Sequence, residues 1–146
     1  MSARLSIDVQ IVSRLRGIPD AGQFRRWLKA ALPVSAELTL RVVNGAEGRR
    51  LNGTFRDKDY PTNVLTFIYH EANAERLMGD VVLCAPVIAR EAREQDKLLD
   101  AHYAHLAIHG ALHLAGMDHE TARDAKIMEA REIGILETLG YPNPYA

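Results

Sequence analysis

The residues whose types and spacing could do chemistry are three histidines in HGALHLAGMDH, residues 109–119. His109, His113 and His119 follow the order H-x3-H-x5-H. On a helix the first two project from one face, one turn apart, and can grip a single ion. Gly116 comes three residues after His113. Glycine adopts the left-handed backbone that ends a helix and reverses the chain, which would bring His119 back toward the same ion. Three neutral imidazoles leave one tetrahedral position open to water, the arrangement of a catalytic zinc site. Zinc lowers the pKa of bound water to roughly 7. One ion per chain is expected, and nickel or cobalt would suit the same donors.

The spacing matches H-E-x-x-H-x-x-G-x-x-H, the pattern of the metzincin zinc peptidases. In those enzymes the glutamate takes a proton from the metal-bound water and later protonates the leaving amine. Gly110 stands at that position here, so a peptidase mechanism is disfavoured. RNA asks for less. Its 2′-hydroxyl can attack the neighbouring phosphate, or a metal hydroxide can attack directly, and the main task is stabilising charge at phosphorus. That calls for a metal and an arginine. Between positions 41 and 58, Arg41, Arg49, Arg50, Arg56 and Lys58 face only Glu47 and Asp57. Guanidinium forks suit phosphate, although such a cluster is also the ordinary look of a solvated helix face. Arg56 stands apart at a helix-to-loop transition.

Other polar residues have two readings each. Asp118 or Glu120 could orient an imidazole or remain solvated. The general acid stays open between Asp118 and a water. His102 lies two turns, ~10 Å, from His109, too far to share its ion. His102 and His105 are therefore expected in hydrogen-bonded packing or at a rim, with support of the ligands or substrate as the alternative. His70 is read as a surface residue.

These side chains need a scaffold. LSIDVQIV (5–12) alternates as a strand with Leu5, Ile7, Val9 and Ile11 on one face. Asp20 caps a helix whose Phe24, Trp27, Leu28 and Ala31 face the core, and Pro33 stops it. AELTLRVV (36–43), NVLTFIY (63–69) and GDVVLCA (79–85) read as further strands, with a short helix near 46–55 and a polar loop, RDKDYPT, between the first two. Helices follow over 86–95, about 98–115 and about 121–139, the last begun by Thr121 with Asp124 and ended by Gly140. The expectation is one α+β domain over residues 1–146. Four strands pack with about five helices, and the metal site lies on the long helix and the turn after it. Strand order is not legible.

An apolar content of 47% is enough for one sizeable core, and a net charge of -1 means that any polyanion must meet a local basic patch. The single cysteine, Cys84, excludes an internal disulfide and reads as a buried small hydrophobe. No run approaches the ~20 apolar residues of a membrane span and no signal-like segment is seen, so the expected location is the cytoplasm.

Together these segments resemble the bacterial YbeY family of rRNA-maturation endoribonucleases. The resemblance is carried by LNGTFRDKDYPTNVLTF (51–67), GDVVLCAPVIAREA (79–92), AHYAHLAIHGALHLAGMDHE (101–120) and GYPNPY (140–145). It implies a mixed four-stranded sheet, with His109, His113 and His119 as zinc ligands. It also implies that catalysis depends on Arg56 and His113, with Arg56 near the metal in a basic groove. The implied activity is metal-dependent cleavage of single-stranded RNA, in maturation of the 16S rRNA 3′ end and ribosome quality control. The implied partners are the small ribosomal subunit, one of its proteins and the GTPase Era. Thr66 stands where the family commonly has serine, and IYHEANAERLM (68–78) looks shorter than usual. Two alternatives remain: a ribosome-assembly factor with structural zinc, and a metallopeptidase-like hydrolase.

Overall fold

The computed structural model describes residues 4–56, 62–71 and 73–146, without the side chains of 55 and 56. Its elements are β1 (Leu5–Ile11), α1 (Ala21–Ala31), β2 (Ala36–Val43), α2 (Gly45–Arg56), β3 (Val64–Ile68) and β4 (Leu77–Cys84), then α3 (Ala85–Glu94), α4 (Leu99–Leu114) and α5 (Ala122–Thr138). The fold is α+β, with five helices on a mixed four-stranded sheet ordered β1-β2-β4-β3. β1, β2 and β4 run parallel, and β3 is antiparallel to β4.

Local chemistry sets the boundaries. The Asp20 carboxylate accepts from the Gln23 N–H, and the Gln23 side chain accepts from the Asp20 N–H, closing a capping box on α1. The Thr121 hydroxyl accepts from the Asp124 N–H at 3.1 Å and starts α5. Asp96 breaks the chain between α3 and α4 with a φ of 54°.

The two faces of the sheet are covered unequally. Val81 and Leu83 of β4 join Leu38, Leu40 and Val42 of β2 in the main core, beneath α1, α4 and α5. Val82 and Cys84 point the other way, into a smaller cluster with Leu65, Val87 and Leu51 of α2. α4 is buried almost all round, as a central helix must be. Trp27 and Cys84 are core residues. Ile11 departs from the expected pattern. It sits at the end of an edge strand and is exposed, while Leu5, Ile7 and Val9 pack on the core. Among the described residues no helix is long and apolar enough to cross a membrane.

Candidate metal centre and its cleft

Beyond the first turn of α4, His109 and His113 are the residues not sealed in the core, and both are half-buried. α4 ends as the glycine predicts. Gly116 has a φ of 101°; its N–H donates to the His113 carbonyl and the Met117 N–H to the Leu112 carbonyl, both at 3.0 Å. These two bonds form a Schellman turn, with Met117 packed back on the core. The reversal returns His119 to the cleft. All three histidines line one open cavity of about 620 Å³.

The rings are grouped but not gathered on a point. Two imidazoles on one tetrahedral ion have centroids ~5 Å apart, given metal–nitrogen bonds of about 2.0–2.1 Å. His109 and His119 meet that spacing at 5.2 Å, whereas His113 and His119 stand 6.4 Å apart. Among the described residues no three His, Cys, Asp or Glu side chains converge tightly enough to hold an ion as they stand. His119 is exposed in the turn after α4.

The observation that favours a metal is on the far side of His109. Glu132 of α5 is completely buried, and one of its oxygens accepts from His109 Nδ1 at 2.7 Å. That bond fixes the tautomer and leaves Nε2 as the free lone pair, the arrangement that carboxylates impose on metal-binding histidines. The other oxygen accepts from His105 Nε2 at 3.0 Å and from the Tyr145 hydroxyl. Burial pushes the Glu132 pKa up, but these hydrogen bonds more than offset it and hold the carboxyl down at about 2. The donor set and its orientation therefore fit a transition metal. From the sequence, Asp118 and Glu120 are open between this orienting role and simple solvation. Both line the cleft, but Asp118 accepts from the Glu120 N–H and both are exposed. The signal for Glu132 was a carboxylate inside the apolar stripe Met128, Glu132, Leu136 of α5.

Gly110 answers the missing glutamate. A Cβ there would stand 2.6 Å from Val81 Cγ1, so α4 rests on β4 at this point. Position 110 is directed at the sheet, and a glutamate has no room there. Thr66 on β3 reaches the same contact, its hydroxyl 3.5 Å from the Gly110 carbonyl.

Comparisons with known proteins identify the family. The model of the family described as endoribonuclease YbeY matches residues 20–140. The chain belongs to the YbeY endoribonuclease family. A YbeY endoribonuclease from Aromatoleum aromaticum is 56% identical, over 99% of this chain and 95% of its own. One from Methylobacillus flagellatus is 51% identical, over 98% and 95%. A solution structure from Thermotoga maritima shares the fold with a TM-score of 0.58 at 23% identity, over 90% of this chain and 91% of that one.

Of the other YbeY-like features read from the sequence, the basic cluster is only partly available. Arg41 is committed to the scaffold: its guanidinium donates to both oxygens of Glu47, at 2.6 and 2.9 Å, and to Gln10 Oε1 at 2.8 Å. Arg50 is exposed beside Glu47. Arg56 is the last residue of α2, one turn after Asn52, which lines the cleft; its side chain, like all of Lys58, lies outside the described residues. His102 is buried, with Nε2 3.0 Å from Glu91. His70 is tied to the sheet, its Nδ1 accepting from the Met78 N–H at 2.9 Å.

Proposed function

We propose that the chain is a zinc-dependent endoribonuclease acting on single-stranded RNA, with the 3′ end of 16S rRNA in the small ribosomal subunit as its natural target. Relatives more than half identical over nearly the whole chain bear the name endoribonuclease. The observation that carries the reading is the Glu132–His109 pair opening on the cleft that also holds His113 and His119. His109, His113 and His119 would hold the ion. When bound, it supplies Lewis acidity toward a phosphodiester oxygen.

The remaining steps belong to the chain itself. Glu132 stays ionised and keeps the His109 proton on Nδ1, so that Nε2 cannot drift into the protonated tautomer. Asn52 and Thr62 add neutral polar groups to the cleft. Arg56 is assigned the developing charge on phosphorus, a task suited to a guanidinium. The attacking group is the RNA 2′-hydroxyl or a water. Because Gly110 packs on Val81, the carboxylate on which peptidases rely is sterically unavailable at that position. In this reading the chain works in the cytoplasm on assembling ribosomes, in their quality control, with Era and a small-subunit protein as neighbours.

The test is cleavage of an end-labelled single-stranded RNA by chelator-stripped protein, before and after zinc is restored. His113→Ala and Arg56→Ala run in parallel. Zinc-restored cleavage that both variants lack, with RNA binding largely kept, is the expected result. Cleavage by the variants at the parent rate would reject the assignment. No cleavage by folded, zinc-loaded parent would favour the assembly-factor role.

A further inference from the structure

The segment GYPNPY (140–145) enters the metal chemistry above only through the Tyr145 hydroxyl, yet it is built into the cleft. Gly140, with a φ of 91°, turns the chain at the end of α5, and Tyr141 packs edge-on against Trp27 with centroids 6.1 Å apart. Lys97 Nζ then donates to the Pro144 carbonyl at 2.9 Å, and the Tyr145 N–H donates to Asn143 Oδ1 at 2.8 Å. These bonds deliver Tyr145 to the cleft wall, where its hydroxyl donates to Glu132.

The ring itself is left in the open. Tyr145 remains 46% exposed, although its hydroxyl is anchored on a fully buried carboxylate. Its contact with His105 is edge-to-face, at 5.3 Å and 83°, which takes at most one face of the phenol. Among the described residues that line the cleft it is the one aromatic side chain other than histidine. A partly exposed ring fixed at its far end loses little entropy when a flat partner lands on it. Unpaired nucleobases are such partners, and they stack on aromatic side chains wherever single strands are bound.

We infer that Tyr145 is a base-stacking platform, and that the nucleotide it holds flanks the phosphate to be cleaved. The placement follows from the shared carboxylate: Tyr145 and His105 bind one oxygen of Glu132, and His109 binds the other. A base on Tyr145 is thus one carboxylate away from a candidate metal ligand. This inference rests on the RNA-cleaving reading above.

The experiment measures binding of a labelled single-stranded RNA to chelator-treated protein, so that no metal chemistry enters. Parent, Tyr145→Leu and Tyr145→Phe are compared on the RNA and on an abasic ribose-phosphate strand of equal length. Zinc-restored cleavage by the parent is recorded alongside. Tyr145→Leu should weaken RNA binding about five- to a hundredfold, the usual range for losing one stacked base. Tyr145→Phe should keep most of the affinity, and the abasic strand should not distinguish the three proteins. Equal RNA binding by Tyr145→Leu and a cleaving parent would overturn the platform and leave the nuclease standing. So would an equal loss on the abasic strand, which marks a purely structural strap, or an equal loss in Tyr145→Phe, which assigns the effect to the hydroxyl. A parent that neither binds nor cleaves RNA overturns both readings.

Discussion

α4 carries three histidine–carboxylate pairs, and the two outer ones, about two turns apart, have opposite fates. His102 meets Glu91 at 3.0 Å and His109 meets Glu132 at 2.7 Å, so the bonds themselves are alike. The surroundings are not. The His102 side chain is 4% exposed, and its second nitrogen is buried with no partner among the described residues. The His109 side chain is 20% exposed, and its second nitrogen is left beside His119. The Nδ1 of His102 is sealed from solvent and out of reach of any ligand, so the first pair is a packing unit. The second is unfinished until something accepts the lone pair at Nε2. The lesson is that a carboxylate on a histidine marks a site only when the other nitrogen has somewhere to go.

The comparison is broken most severely by changing what holds α4 against the sheet. Gly110→Glu, which restores the peptidase pattern, should not create a peptidase. It forces a charged side chain against Val81, where overpacking alone costs about 1–3 kcal/mol and an unpaired buried charge adds more. Loss of the cooperative thermal transition is expected, and a folded variant with new peptidase activity would contradict the packing argument.

Next in size is the unfinished pair. Glu132→Gln keeps the shape of the side chain but removes the charge that three donors share. Zinc affinity should fall about ten- to a hundredfold, as for other carboxylates behind metal-binding histidines. Calorimetric titration checks this, and an unchanged affinity would remove Glu132 from the site.

The finished pair should respond in stability and not in metal binding. His102→Phe is expected to cost about 1–2 kcal/mol by removing one of the two side chains that donate to Glu91, Asn63 being the other, with zinc affinity unchanged. It should also alter the pH profile. Burial pushes the His102 pKa below its usual 6.5, and the bond to Glu91 does not restore it. Below pH 6.5 the unfolded chain takes up a proton that folded His102 refuses, so the stabilisation present above 6.5 is lost as the pH falls. Melting temperatures between pH 7.5 and 5.5 should therefore drop less in His102→Phe than in the parent. The smallest effect is expected from Arg50→Ala, whose exposed ion pair with Glu47 spans 4.0 Å and is worth under about 0.5 kcal/mol.

Much of this arrangement was legible in the chain, because the features concerned are local. Asp20, Thr121 and Gly116 announced helix ends through their own backbone and side-chain chemistry, and β2 occupies the residues that alternation marked. The histidine spacing announced a shared face of α4 and a returning turn. What escaped was tertiary. Nothing near His109 points to Glu132, which reaches it from another helix, and Asp118 and Glu120 were the nearer carboxylates. The contact of Gly110 with Val81 depends on how closely α4 lies on β4. The engagement of Arg41 by Gln10 depends on β1 and β2 being neighbours, and strand order is not written in alternation.

The most direct test of the central claim is a zinc titration of metal-free protein, comparing parent, His109→Ala and His102→Ala. One ion per chain is predicted for the parent and for His102→Ala, with tight binding lost in His109→Ala. A parent that binds no zinc, or equal loss in both variants, would contradict the account.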